Sequence, residues 1–181
     1  MRAFTVPDVR LFMQGLLTGR LFYGWQFRSA QINVINLYEI DGRVNTDYIT
    51  DEEKAQREAG HKLSYLNWDE VQSRVRSLIL GGHTPTMMNL TLALDPSMVP
   101  GLDRDLVDSV LLNIRFGKPQ NTAVEGAGTD REGSADTLQA PVLTLITGIS
   151  MKTFTMDKSQ ERLWDEKVPG FFERHNIPLT E

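Results

Sequence analysis

Apolar residues recur at Val9, Phe12, Met13, Leu16 and Leu17, the i, i+3, i+4, i+7, i+8 spacing of a single helical stripe. The pattern predicts a helix with Pro7 at its first position, where a missing N–H costs nothing, and Gly19 at its end. The same period returns at Val71, Val75, Leu78 and Ile79, so a second helix is expected over 68–80, capped by Asn67 and stopped by Gly81-Gly82. Elsewhere the period drops to two. Trp25, Phe27, Ala30, Ile32 and Val34 alternate with polar residues, as do Met88, Leu90, Leu92 and Leu94, and then Val110, Leu112, Ile114 and Phe116, each the texture of a half-buried strand. Further strands are expected over 2–6, 63–66, 142–149 and 151–156. The change of phase at Val34-Ile35 predicts a bulge or a sheet switch, and Asp41-Gly42 a hairpin turn into a strand over 43–49. Asp157 with Gln160 three residues on suggests a capping box for a last helix carrying Leu163, Trp164, Val168, Phe171 and Phe172. Pro169-Gly170 should kink or divide that helix, and the tail after His175 should fray.

These elements make an α+β fold: a predominantly antiparallel sheet with two main helices and a C-terminal helix. At 181 residues the chain suits one domain, 1–181. Within it, 50–61 (TDEEKAQREAGH) reads as a charged, solvated insertion, 118–140 as a mobile loop between two strands, and 157–175 as the C-terminal helix. Laid over one another, the two helices match Val9 to Val71, Met13 to Val75, Leu16 to Leu78, Leu17 to Ile79 and Gly19 to Gly81, with Phe12 meeting Arg74 as the one break. A strand, helix and strands unit repeated in halves 1–49 and 62–156 accounts for that echo, as does the generic form of any amphipathic stripe.

Composition narrows the chemistry. The chain has no cysteine, which removes disulfide scaffolds, thiolate metal sites and cysteine nucleophiles. No apolar run approaches the ~20 residues of a membrane span, and no secretory pattern opens the chain, so a cytoplasmic protein without membrane partners is expected. Nineteen Lys and Arg against 24 Asp and Glu leave a net charge of −5, the wrong sign for a broad grip on nucleic acid.

The segments VPDVRLFMQGLLTG, NLYEIDG, YLNWDEVQSRVRSLILGG, LLNIRFG and TFTMDKSQERLWDEKVPGFF resemble a family of bacterial proteins of low-GC Gram-positive type, known only as a domain of unknown function. The resemblance covers most of the chain and implies no activity, cofactor or site residue. The element order is also loosely similar to one domain of the DNA sliding clamps, an analogy of fold and not of function.

No catalytic constellation stands out. His61, His83 and His175 lack metal-ligand spacing, and Gly126, Gly128 and Gly133 neither follow a strand nor open a helix as a phosphate loop must. Asp41, Asp47, Asp51, Glu52 and Glu53 miss the register of a calcium loop and read as a solvated face. Asp69-Glu70 suits a helix N-terminal turn, and Asp165-Glu166 is expected to face solvent. Tyr23, Trp25 and Phe27 could stack bases but fit a core better. Arg10, Arg74 and Arg76, on the off-core faces of the two echoed helices, are the candidate nucleic-acid contacts.

The sequence therefore points to a non-catalytic binding or scaffold protein that works through its surface and calls for no cofactor or metal. Its partner is an unknown protein or nucleic acid. The alternatives are a clamp-like nucleic-acid factor, or a small-ligand enzyme with a site built from the acidic insertion and Lys152 or Lys158. An exposed strand edge such as 87–95 could also pair two copies across a two-fold axis.

Overall fold

The computed structural model describes residues 1–59, 64–118 and 140–181. Six strands form one antiparallel sheet: β1 (Ala3–Thr5), β2 (Gln26–Asn33), β3 (Leu37–Asp41), β4 (Met87–Leu94), β5 (Val107–Gly117) and β6 (Val142–Met151), in the order β1-β6-β5-β4-β2-β3. Four helices accompany them: α1 (Val9–Leu17), α2 (Asp51–Ala59), α3 (Trp68–Leu80) and α4 (Ser159–Glu173). The α+β class and the predominantly antiparallel sheet are as the periodicities predict.

Alternation decides which face of the sheet is covered. Phe4, Ala30, Ile32, Met88, Leu90, Leu92, Val110, Leu112, Ile114, Leu143 and Leu145 are all buried, and they share one core with Phe12 and Leu16 of α1, Val71 and Val75 of α3, and Trp164, Val168 and Phe172 of α4. That core holds an aromatic cluster in which Phe22 meets Phe12, Trp25 and Phe172 at centroid separations of 5.3–6.1 Å. Trp25 and Phe27 are thus core residues, whereas Tyr23 is exposed. By contrast α2 buries no residue and is tied to α3 through Arg57, which donates to Glu70 at 2.5 Å.

Helix ends follow their caps. The α1 N-terminus is closed by Asp8, whose carboxylate accepts from the Leu11 amide at 2.9 Å, so the helix starts at Val9 and Pro7 precedes its cap. Asn67 and Glu70 form a full capping box on α3. On α4 the expected box is absent. Asp157 accepts from the Ser159 amide and hydroxyl, both at 2.8 Å, while Gln160 turns away to accept from the Asp103 amide. Pro169 lies inside α4, which is not divided there; its apolar stripe anchors both halves to the core and outweighs one lost backbone bond.

Several expectations fail because pairing outranks local sequence. The phase change at Val34-Ile35 is the turn between β2 and β3, with the Val34 amide donating to Asn36, and the bulge sits earlier, between Phe27 and Ser29. Asp41-Gly42 is consequently not a hairpin turn. In place of the strands expected over 43–49 and 63–66, the described residues there form the isolated bridge Arg43–Tyr65, with Gln26–Asn67 just beyond it; Leu63 lies outside the described residues. Residues 152–156 are bends and irregular chain that leave Phe154 and Met156 exposed, so the strand expected over 151–156 does not form. The segment 87–95 is no edge, since β4 lies between β2 and β5. The C-terminal tail is docked: Thr5 and Thr180 exchange both backbone bonds at 2.7 and 2.9 Å, and Ile177 is buried.

Asp165 also departs from expectation. It is buried on α4, where it accepts from the Thr147 hydroxyl and, at 2.9 Å, from the Met1 ammonium group. Thr147 in turn accepts from the Arg2 amide at 2.7 Å. A carboxylate so partnered ties β1, β6 and α4 together.

Candidate functional site

The face of the sheet opposite the helices is polar, and it is organised by register. One row runs Glu39, Gln31, Asn89, Arg115, Thr144 and Thr5 from strand to strand; the next runs Asp41, Ser29, Thr91, Asn113, Ile146 and Ala3. Neighbouring strands stand ~4.8 Å apart, so consecutive members of a row lie side by side. Some are already engaged: Gln31 donates to Glu39 at 2.8 Å, and Thr91 donates to the Asn113 amide oxygen at 2.9 Å.

At one end this face deepens into a cleft of about 670 Å³ whose lining includes Arg28, Arg43, Tyr65, Asn89, Asn113 and Arg115. Arg28 is the extra residue of the β2 bulge, where Phe27 pairs with Leu92 and Ser29 with Thr91. A bulge re-aims the side chain that it inserts. Arg28 accordingly stretches across the open face and donates to the Ser109 hydroxyl on β5 at 3.2 Å. Its guanidinium lies 3.8 Å from the centroid of the Tyr65 ring, a close cation–π contact. The Arg28 Nε is buried and has no hydrogen-bond partner among the described residues. A buried charged donor without a partner is costly, and this one lies on the wall of the cleft.

Arg43 comes to the same ring from the other side of the chain. It bridges Tyr65 in a short antiparallel pairing that extends the sheet. Gly42 makes that possible: its N–H donates to the Arg28 carbonyl and its carbonyl accepts from the Leu66 amide, both at 2.9 Å. The Arg43 guanidinium beside the phenol lowers the Tyr65 pKa, that of Arg28 adds to the effect, and burial opposes both. One of the four tyrosines should therefore ionise below the usual value of about 10 in a spectrophotometric titration. Tyr65→Phe should remove that step and Arg43→Ala move it back up. Because the folded-state value lies below the unfolded one, this group stabilises the fold only as pH rises past the folded value toward 10, and contributes nothing of that kind at neutral pH. Titration of all four tyrosines together, unaffected by Arg43→Ala, would contradict the arrangement.

The residues singled out from sequence are placed elsewhere. Arg10, Arg74 and Arg76 are exposed on the neighbouring helices α1 and α3, with no ion pair among the described residues. Of the acidic group, Asp41 lines the cleft, while Asp51, Glu52 and Glu53 occupy the first turn of α2, where Glu53 and Thr50 cap the helix. Asp69 accepts from the Gly24 amide at 3.3 Å and Glu70 serves the α3 cap. His83 rims an apolar groove beside Ile79 and Met88, and His175 packs against Phe171 at 5.0 Å. Lys152 donates to the Arg104 carbonyl at 2.6 Å, and Lys158 is the residue before α4. No hydrogen bond or ion pair among the described residues joins either lysine to α2. His61, Gly126, Gly128 and Gly133, with most of 118–140, lie outside the described residues.

Sequence reasoning missed Arg28, Arg43, Tyr65 and Arg115. They sit in separate segments whose meeting depends on strand order. The available signal was Arg28 out of phase in an otherwise alternating strand.

A family model described as a family of unknown function (DUF5721) matches residues 15–131 and 137–180. No curated protein and no solved structure matches the chain.

Proposed function

This chain belongs to DUF5721, a family of unknown function, and since membership brings no activity with it we propose, from the geometry alone, a non-catalytic binding protein whose ligand lies on the open polar face of the sheet. The observation that carries this reading is the convergence of Arg28 and Arg43 on Tyr65 at the edge of the cleft. Polar residues on an uncovered antiparallel face need no explanation, because water demands them. A bulge, a bridging segment and a buried guanidinium nitrogen unpaired among the described residues, gathered at one point, exceed what solvation requires.

The cleft lining holds Arg28, Arg43 and Arg115 against Glu39 and Asp41, a local excess of positive charge in a chain of net −5. An anionic ligand fits that field. In a thermal-shift screen of anions, a true ligand at about 100 times its Kd should add about 2.7 kcal/mol, roughly 5–10 °C for a chain of this size. Arg115→Ala and Asn89→Ala should reduce that shift. Shifts indifferent to both substitutions would remove the face from consideration.

A second reading places duplex nucleic acid on Arg10, Arg74 and Arg76. It is favoured by their shared exposure on adjoining helices and opposed by Asp69 and Glu70 in the first turn of α3. Binding of duplex DNA that weakens with salt and is lost in the triple alanine variant would support it; no binding at about 50 mM salt would exclude it.

A further inference from the structure

The two arginines at Tyr65 say more about the ligand than the rest of the face does. Arg28 stacks on the ring and Arg43 is paired to the same residue through the backbone, so two positive charges are drawn to one side chain beside the cleft. The neighbouring carboxylates are partly engaged: Asp41 accepts from the Arg43 amide at 3.0 Å and Glu39 from Gln31 at 2.8 Å. Neither lies within ion-pair distance of an arginine among the described residues, and Asp41 acts on the Arg43 guanidinium only as a nearby charge. Two adjacent like charges repel one another, and an anion seated between them relieves that repulsion.

Guanidinium forks match phosphate oxygens in geometry, and a pair of them suits a dianion better than a single carboxylate. Beyond the arginines the lining becomes neutral. Asn89, Thr91 and Asn113 present amide and hydroxyl groups, with Asn89 holding no hydrogen bond from its side chain among the described residues. Such groups pair with hydroxyls. No free aromatic platform lines the cleft, since one face of Tyr65 is taken by Arg28, and this disfavours a stacked single-stranded nucleic acid. A volume of about 670 Å³ is that of a small-molecule site.

We propose that the cleft binds a hydroxyl-bearing phosphomonoester, a sugar phosphate or a mononucleotide, with its phosphate at Arg28 and Arg43 and its hydroxyls on Asn89, Thr91 and Asn113. The proposal rests on the open-face reading above and narrows it to one ligand class.

Titration calorimetry at low ionic strength, paired with amide-resonance mapping, tests it. The probes are a hexose phosphate, adenosine monophosphate, their unphosphorylated parents and inorganic phosphate. At least one phosphorylated probe should bind at least 100-fold more tightly than its parent. Arg43→Ala, an exposed position whose loss leaves the fold intact, should weaken that probe at least tenfold, and Asn89→Ala should weaken it while sparing inorganic phosphate. Arg28→Lys, which keeps the charge and loses the fork, should also weaken it. Equal binding of parent and phosphorylated probe, with shifted amides on the open face, overturns the phosphate assignment and leaves the face a binding surface. Binding unchanged by all three substitutions puts the ligand elsewhere and overturns both readings. No binding by any probe at about 1 mM overturns the phosphate assignment alone, because the anion screen tests the face separately.

Discussion

Trp68→Ala is expected to cost about 3–5 kcal/mol, a large share of the roughly 5–15 kcal/mol that holds an ordinary domain folded. The indole is fully buried, packs on Phe27 at a centroid distance of 6.0 Å and donates its Nε1–H to the Leu16 carbonyl at 3.1 Å. Its own amide donates to the Trp25 carbonyl at 2.7 Å, so the residue joins the first turn of α3 to the end of α1 and the approach to β2. Alanine would leave a cavity at that junction. Trp68→Phe should cost far less, about the ring difference and one hydrogen bond of 0.5–1.5 kcal/mol, because Gln72 still donates to Leu16 at 2.8 Å. Urea unfolding monitored for midpoint at unchanged slope checks the pair. Equal losses for the two variants would show that the indole nitrogen, not the packed ring, holds the junction.

Gly42→Ala should be nearly as damaging and should also dismantle the cleft. A Cβ at Gly42 would lie 1.9 Å from the Phe27 carbonyl oxygen and 2.7 Å from its carbon, and backbone cannot swing aside as a flexible side chain does. Overpacking usually costs about 1–3 kcal/mol, and this site belongs at the upper end. The movement needed would separate the end of β3 from the β2 bulge, since Gly42 bonds to both Arg28 and Leu66. Arg43 would then lose its place beside Tyr65. The expected signature is a lowered unfolding midpoint together with a Tyr65 titration returned toward about 10. A variant that titrates like the parent and unfolds within about 0.5 kcal/mol of it would show that Gly42 is not the hinge of the site.

Helices α1 and α3 were legible because their information is local. Val9, Phe12, Leu16 and Leu17, or Val71, Val75 and Ile79, are spaced to bury one stripe wherever the helix docks. The same holds for β4 and β5, whose alternation already says which residues face the core. The Asp157–Gln160 box and the Asp41-Gly42 turn look equally local, yet each is overruled by distant partners, Asp103 in one case and Arg28 with Leu66 in the other. From sequence Asp165 reads as solvent-exposed for a similar reason, because nothing in its neighbourhood along the chain announces Thr147. The candidate site was not legible at all. Arg28, Arg43, Tyr65 and Arg115 come from four segments, and only the placement of β2 between β3 and β4, with a bulge at Arg28, brings them to one cleft.

By itself, then, the amino-acid order determined the class of fold, the helices with their buried stripes, the strands with their buried sides, and the absence of any thiol chemistry. Each follows from periodicity or composition, which are properties of neighbours along the chain. Strand order, the bulge, the docked tail and the gathering of two arginines on one tyrosine were decided only in three dimensions. Pairing between distant segments depends on hydrogen bonds and contacts that no local pattern encodes, and a single inserted residue in a strand is enough to turn a side chain from a surface position into the wall of a cleft.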